Sequence, residues 1–143
     1  MRFWDSSALI PLFVREGHSP LMEALVTADP DMIVWWASPV ECASAVHRLR
    51  REGVFTPAEA ARVLAGLAGA LDAANVVQPG DELCAMALRL LGAHPLRAAD
   101  ALQLAAALLW ARGRPAGRDF VCLDERLRTA AILEGFQILP VDL

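Results

Sequence analysis

Four carboxylates in this chain occupy positions at which a protein can hold a divalent cation. Asp5 and Asp124 each follow a short apolar segment that is typical of a buried strand, and Glu41 and Asp100 stand in the first turns of two predicted helices. Carboxylates without histidine or cysteine beside them are hard oxygen ligands, which suit Mg²⁺ or Mn²⁺ and suit structural zinc poorly. A cation bound in this way activates water and stabilises developing negative charge.

Glu41 also has a purely structural explanation. It ends the segment 38–41 (SPVE), which has the form of a helix capping box with proline at the first helical position. The segment 56–59 (TPAE) has the same form. The local pattern therefore does not separate Glu41 from Glu59 as a functional acid.

The remaining acids differ in how strongly they indicate a functional site. An acid near a helix start complements the helix dipole, which accounts for Asp100, and Asp124 can serve as an N-cap. Asp5 is the strongest single case, because an acid at the end of a buried first strand is costly unless it is paired or bound to a metal. Asp119 precedes a predicted strand, so we expect it at the opposite end of the sheet from Asp124.

Short apolar segments alternate with helical patterns along the chain. The segment 32–36 (MIVWW) is apolar on every side, as expected for a strand buried on both faces. Ser6 and Ser7 are predicted to cap the first helix. Strands are predicted over residues 2–4, 32–36, 75–78, 120–123 and 136–141. Helices are predicted over about residues 6–17, 20–27, 38–52, 56–72, 81–92, 98–112 and 124–133.

This alternation predicts an α/β fold. Strands joined by helices need right-handed crossovers, so we expect a mostly parallel sheet of about five strands with helices on both faces. Residues 1–143 contain no repeat, low-complexity tract or linker, which predicts a single domain. In such a sheet the site lies outside the carboxyl ends of the strands, where Asp5 and Asp124 are predicted.

The composition excludes several kinds of chemistry. Hydrophobic residues make up 56% of the chain and charged residues 21%, which indicates a folded protein. All 13 basic residues are arginine, which excludes a receiver domain because that domain needs a phosphate-binding lysine. A haloacid-dehalogenase-like phosphatase needs an aspartate where Ser7 stands. The net charge of −4 argues against nonspecific coating of nucleic acid, but acids gathered around metal ions remain compatible with a nuclease.

Cysteine usage and the lack of targeting segments predict a cytoplasmic protein without a membrane partner. No apolar run reaches the roughly 18 residues that cross a membrane, and no secretory signal is recognisable. Cys42, Cys84 and Cys122 are odd in number and widely spaced, which suits a reducing compartment.

Four segments resemble, in order and spacing, the blocks of PIN-domain proteins, in particular the VapC-type toxins of bacterial toxin–antitoxin pairs. The resemblance spans residues 2 to 141, and its third segment is the most specific. Any one segment is weak evidence, whereas four in register are strong. The segments are 3–9 (FWDSSAL), 38–45 (SPVECASA), 96–107 (LRAADALQLAAA) and 120–127 (FVCLDERL).

The resemblance implies a three-layer PIN-like fold and a metal-dependent endoribonuclease. It implies Asp5, Glu41 and Asp100 as core ligands of Mg²⁺ or Mn²⁺. Asp124 completes or supports this set, and the register selects Glu41 over Glu59. Because like charges held close together cannot all stay ionised without a cation, we expect raised carboxylate pKa values in the site.

Three features leave questions open. The family usually has threonine or serine two residues before the last acid, and Cys122 at that position is expected to weaken a hydrogen bond that orients Asp124. Ser6 or Ser7 either orients the first carboxylate, reaches the substrate or caps the helix. The run 48–51 (RLRR) fits a solvated helix face or a guide for RNA.

The resemblance also implies a cognate antitoxin as partner. The first two predicted helices carry more apolar side chains than one buried face uses, so we expect an amphipathic antitoxin segment to bind in a groove there. The alternative is that most of these side chains pack on the sheet. The side chains of this predicted surface are Leu9, Leu12, Phe13, Leu21, Met22 and Leu25.

A stripe of alanine and leucine on the helix predicted over 56–72 favours a homodimer. Covering the sheet needs only about a 100° arc of a helix, and the stripe extends beyond it. The competing explanation is that alanine is merely a good helix former on the surface. The stripe consists of Ala58, Ala61, Leu64, Ala65, Leu67, Ala68 and Leu71.

Two other functions remain open. One is a PIN-type nuclease that acts on another nucleic acid, such as structured DNA or a ribosomal RNA precursor. The other is a catalytically silent binding module that keeps the fold for assembly, against which the four intact acids argue.

Overall fold

A sheet of five parallel strands forms the middle layer of the molecule. The structure, a computed structural model, describes residues 1–15 and 17–143. The strands are β1 (Arg2–Trp4), β2 (Met32–Trp35), β3 (Asn75–Val77), β4 (Asp119–Val121) and β5 (Gln137–Leu139). Their order in the sheet is β3-β2-β1-β4-β5. The chain places β2 and β3 on one side of β1 and then crosses back to place β4 and β5 on the other side, so the strand order reverses between the neighbouring strands β1 and β4. The predicted α/β fold is confirmed, and the sheet is wholly parallel.

Seven α-helices lie in the described residues. From α2 onward their ends agree with the predicted spans to within two residues. None of the described helices is long and apolar enough to cross a membrane. The helices are α1 (Ser6–Leu9), α2 (Ser19–Ala28), α3 (Ser38–Arg51), α4 (Pro57–Ala73), α5 (Asp81–Ala93), α6 (Ala98–Trp110) and α7 (Glu125–Glu134).

Alternate side chains of the strands enter two hydrophobic cores on opposite faces of the sheet. Phe3 and Phe120 lie in the core under α5, α6 and α7, where their rings stack with centroids 5.3 Å apart. Their neighbours Trp4 and Val121 lie in the other core, under α1 to α4. The three predicted layers are therefore present, and β2 is buried along its whole length, whereas the edge strand β3 is largely exposed.

The first helix is shorter than predicted. It ends at Leu9, and a 3₁₀ turn over Ile10–Leu12 replaces the middle of the helix predicted over 6–17. Pro11 explains the change, because its ring lacks an N–H and clashes with the carbonyl four residues earlier in a continuous α-helix. Residue 16 of that predicted helix lies outside the described residues.

The apolar side chains of α1 and α2 divide between core and surface. Leu9 and Met22 are 1% and 0% exposed, so the prediction that both line an antitoxin groove is wrong. They are buried because both helices pack on the same face of the sheet. Leu21 is 45% exposed. The half-buried members of the predicted surface are Leu12, Phe13 and Leu25.

The amino end of the sheet is closed by an ion pair. Arg2 Nε lies 3.1 Å from Asp119 Oδ2, and the Arg2 guanidinium also donates to the Leu25 carbonyl at 2.7 Å. Asp119 thus lies at the opposite end of β4 from Asp124, as predicted. The carboxyl end, at the point where the chain reverses across the sheet, is where a parallel sheet places its site.

Candidate functional site

The four predicted acids line one cavity at the carboxyl end of the sheet. Asp5 follows β1 and Asp124 follows β4, while the first turns of α3 and α6 supply Glu41 and Asp100. The volume of this acidic cavity is about 260 Å³. Its other lining residues are Ser6, Ser7, Ile10, Ala45 and Arg48.

Asp5 is oriented through one of its two oxygens. Its Oδ2 accepts hydrogen bonds from the Ser7 N–H at 3.0 Å and from the Ser7 hydroxyl. That hydroxyl accepts a hydrogen bond from the Leu123 N–H at 2.9 Å, which joins the start of α1 to the loop after β4. Asp5 itself is the N-cap of α1, so the prediction that Ser6 or Ser7 caps this helix is wrong.

Burial raises the pKa of Asp5. The residue is only 5% exposed, and the loss of hydration disfavours its charged form. Hydrogen bonds from Ser7 and Cys122 oppose this effect without cancelling it. The expected rise in pKa is therefore confirmed for Asp5, but its cause is burial and not the neighbouring acids.

Glu41 is held in the same manner. Its Oε2 accepts hydrogen bonds from the Ser6 hydroxyl and from the Gln103 amide, each at 3.1 Å. Burial is the main cause that raises the pKa of Glu41, and the hydrogen bond from Gln103 lowers it in part. The charges of Asp5 and Asp100 raise it further, so repulsion between the acids does contribute here.

The structure separates Glu41 from Glu59, which the local pattern does not. The predicted capping box at 38–41 is wrong, because α3 has no side-chain cap and the Ser38 hydroxyl lies 3.5 Å from the Gln103 amide nitrogen. At 56–59 the capping box is present, and the Thr56 N–H donates to Glu59 at 2.8 Å. Glu59 is exposed and does not line the acidic cavity.

Asp100 and Asp124 are each fixed by a backbone N–H. Asp100 Oδ2 accepts from the Arg97 N–H at 3.2 Å. Asp124 Oδ1 accepts from the Leu127 N–H at 2.9 Å and is the predicted N-cap of α7. In all four acids, the donors found in the described residues reach one carboxylate oxygen and leave the other available to a ligand.

Cys122 contacts the carboxylate of Asp5 and not that of Asp124. Its sulfur lies 3.6 Å from Asp5 Oδ2 and 3.6 Å from the backbone oxygen of Asp124. Burial raises the pKa of the Cys122 thiol, so the thiol stays protonated and donates a weak hydrogen bond. The prediction that Cys122 affects a bond to the Asp124 carboxylate is therefore wrong, and this position helps to orient the first acid.

The acidic cavity has the donors that a hard cation requires. Among the described residues, no three acidic, histidine or cysteine side chains are arranged around a common metal position. The chemistry of the donor set nevertheless fits Mg²⁺ or Mn²⁺, because carboxylates line the cavity and the nearby Cys122 sulfur is a protonated thiol. The side chains of the cavity thus match these cations in the type of ligand atom that they offer.

Two further residues belong to this site. Gln103 is 1% exposed and contacts Glu41 and Ser6, which the sequence signals only as a single amide within the apolar run 101–110. Arg48 lines the cavity although the run 48–51 fits a solvated face equally well. The sequence does indicate Arg48, because Glu41 and Arg48 are two helical turns apart on α3 and therefore lie on the same face.

Known structures share this fold. A toxin–antitoxin complex from Klebsiella pneumoniae matches 87% of this chain and 87% of its own chain, at 15% identity and a TM-score of 0.60. VapC20 of Mycobacterium tuberculosis, a sarcin–ricin loop cleaving toxin, matches 91% of this chain and 95% of its own, at 16% identity and a TM-score of 0.67. The chain has the fold of VapC toxins. No protein-family model and no curated protein sequence matches the chain, so the comparison rests on the fold.

Proposed function

We propose that this chain is a metal-dependent endoribonuclease and the toxin of a toxin–antitoxin pair. The observation that carries the proposal is the convergence of four acids, from four separate segments, on one cavity. Purely structural acids have no reason to converge, because buried and neighbouring carboxylates disfavour each other's charge. The fold supports this function, since it is shared with VapC20, a toxin that cleaves the sarcin–ricin loop.

Asp5, Glu41, Asp100 and Asp124 are the proposed ligands of Mg²⁺ or Mn²⁺. When bound, the cation supplies charge stabilisation to the phosphodiester and lowers the pKa of water. The protein's part is to hold the carboxylates in fixed orientations. Ser7 does this for the first acid, and Ser6 does it for the second.

RNA is the proposed substrate, and Arg48 is its proposed contact beside the acids. Arg48, Glu41 and Ala45 also line a second depression along α3, together with Val40 and Ser44. An exposed guanidinium next to the carboxylates supplies the charge-assisted hydrogen bonds that a phosphate accepts. The nucleic acid is thereby expected to lie along α3.

Purified protein is expected to cleave RNA with Mg²⁺ or Mn²⁺, to stop in EDTA and to recover when metal is added in excess. The test incubates the protein with RNA and with single-stranded and duplex DNA, and separates the fragments by electrophoresis. Cleavage of DNA alone would assign a different nucleic-acid substrate. Metal binding without cleavage of either would instead indicate a silent binding module.

A small antitoxin is the proposed protein partner, because a free nuclease of this kind would harm its own cell. A groove of about 760 Å³ lies between the turn after α1, the end of α3 and the start of α4. Phe13, Val54 and Phe55 give it apolar walls, and its charged residues are two arginines and one acid, Arg15, Arg62 and Glu59. The groove suits an amphipathic segment with acidic residues, and it shares only Phe13 with the surface predicted from the sequence.

Val54→Glu is expected to abolish copurification of the proposed antitoxin, which the family resemblance implies is encoded by the neighbouring gene. Val54 is 60% exposed, so a charge there alters the groove without entering the core. Val141→Glu is the matched control, because Val141 is 77% exposed and lies outside the groove. The measurement is recovery of the coexpressed partner on the tagged chain, with circular dichroism to check folding. Equal recovery with both variants would refute the groove.

A homodimer through α4 is also proposed. Leu67 and Leu71 of the predicted stripe are buried, whereas its alanines are exposed along one side of the helix. Ala61→Arg combined with Ala68→Arg is expected to reduce the mass measured by light scattering from twice 15.4 kDa to 15.4 kDa. A wild-type mass of 15.4 kDa at micromolar concentration would contradict the dimer. The exposed alanines are Ala58, Ala61, Ala65 and Ala68.

A further inference from the structure

Gln103 is a buried amide in an otherwise apolar part of α6. The residue is 1% exposed, and its neighbours along the helix are leucine and alanine. Its Nε2 lies 2.8 Å from Ser6 Oγ and 3.1 Å from Glu41 Oε2, with a longer contact of 3.5 Å to Ser38 Oγ. One amide group thus connects α6 with the start of α1 and with the first turn of α3.

The other atom of this amide is unsatisfied. Gln103 Oε1 is buried and has no hydrogen-bond partner in the described part of the chain. A buried carbonyl without a partner disfavours folding, whereas an apolar side chain of similar length carries no such penalty. The penalty for this oxygen offsets what the hydrogen bonds of the nitrogen contribute to stability, so stability alone does not explain the amide.

We propose that Gln103 is a positioning residue that holds the Glu41 carboxylate in the acidic cavity. Asp100 lies three residues earlier on α6, so the same helix turn carries both Asp100 and the amide that fixes Glu41. Ser6 extends the link, because its hydroxyl donates to Glu41 and accepts from Gln103 and its backbone directly follows Asp5.

This inference rests on the proposed function, in which the same acids share a cation. A side chain that fixes one ligand lowers the cost of assembling the set, since the ligand does not have to be ordered when the cation binds. Gln103 is then retained for the arrangement of the carboxylates and not for stability alone.

Gln103→Met tests this role, because methionine has a similar length and no hydrogen-bond donor. We expect the Kd for Mn²⁺, measured by electron paramagnetic resonance without RNA, to rise by about 10-fold or more. The melting temperature of the metal-free variant is expected to stay close to that of the wild type, because removal of the unsatisfied Oε1 offsets the loss of the hydrogen bonds to Glu41 and Ser6. RNA cleavage falls at limiting Mn²⁺ and recovers in large part when Mn²⁺ is raised. Leu104→Met, a buried change one residue along α6, is the control and leaves Mn²⁺ affinity unchanged.

A merely structural role predicts the opposite pattern. Gln103→Met would then lower the melting temperature and leave the Kd for Mn²⁺ at the wild-type value, which would overturn the inference. Gln103→Asn provides a second variant if the first is poorly folded. It keeps an amide that is one methylene too short to reach Glu41, and it is expected to weaken Mn²⁺ binding in the same direction.

Failure of the proposed function gives a different result. If the wild-type protein binds no Mn²⁺ and cleaves no nucleic acid, the nuclease assignment falls, and Gln103 is judged by metal-free crystal structures of the wild type and Gln103→Met. A Glu41 side chain that is single in the wild type and spread over several rotamers in the variant supports the positioning role. A single, unchanged Glu41 rotamer in both overturns it.

Discussion

Glu41→Gln is expected to lower kcat/KM for RNA cleavage by at least about 100-fold, whereas Glu59→Gln leaves it unchanged. Loss of a group that only orients a metal ligand costs about 10- to 100-fold in affinity or activity, so loss of a ligand itself costs at least the upper end of that range. Glutamine keeps the shape of the side chain and one acceptor oxygen, but it removes the charge that a cation needs. The effect therefore reports on charge and not on packing.

The comparison is sharp because both residues occupy the same local sequence pattern. Glu59 belongs to a capping box, where hydrogen bonds from the Thr56 backbone and side chain lower the pKa of Glu59. Glu59→Gln is consequently expected to weaken this cap and lower the melting temperature slightly. Initial rates on one RNA substrate, with both variants purified alongside the wild type, provide the measurement. Equal rates for Glu41→Gln and Glu59→Gln would remove Glu41 from the site.

The fold and the location of the acids could be predicted because they depend on the alternation of strand and helix patterns along the whole chain. Apolar segments bounded by turn residues define the strands, and parallel connections then bring residues at the carboxyl ends to one edge. Asp5 and Asp124 follow directly from this rule, since both come after neighbouring strands. Asp119 was excluded by the same argument, and it lies at the other end of the sheet beside Arg2.

The hydrogen-bond partners of the acids could not be predicted in the same way. They are contacts between segments distant in the chain, and equally good local partners exist in the sequence. Ser38 looks like a helix cap but faces Gln103, and Cys122 contacts Asp5 across the end of the sheet. The shortened first helix is a different case. Pro11 interrupts it through a local effect, so the sequence alone is sufficient to predict the interruption.

The metal-free protein is expected to lose stability as the pH rises from the ordinary carboxyl pKa of about 4 to about 7.5, and Asp5→Asn is expected to remove much of this loss. Burial raises the pKa values of Asp5 and Glu41 in the folded chain above those in the unfolded chain. Within that window the folded chain binds more protons, so the free energy of unfolding falls as the pH rises. The stabilisation is complete below the ordinary carboxyl pKa of about 4 and is lost above the raised values.

Asp5→Asn isolates the contribution of the first acid. The amide oxygen of asparagine can take the place of Asp5 Oδ2 and accept the same hydrogen bonds from Ser7 and Cys122. The buried charge is removed, so at about pH 7.5 the metal-free variant is expected to melt at least about 2 °C above the wild type. Glu134 does not affect this comparison. The hydrogen bond from Arg89 lowers the pKa of Glu134, so the stability that Glu134 contributes is lost only in more acidic solution.

Adding Mn²⁺ should reverse the order of the two proteins. A ligand that binds only the folded chain stabilises it by about 2.7 kcal/mol at 100 times its Kd, and it also offsets the buried negative charge that destabilises the wild type. The gain is expected to be largest above the raised pKa values, where the carboxylates are ionised, and to be nearly absent in Asp5→Asn. Thermal melts across pH, with EDTA and with Mn²⁺, measure both effects. Parallel curves for the wild type and Asp5→Asn in EDTA would contradict the buried-charge explanation, and equal stabilisation of both by Mn²⁺ would place the cation elsewhere.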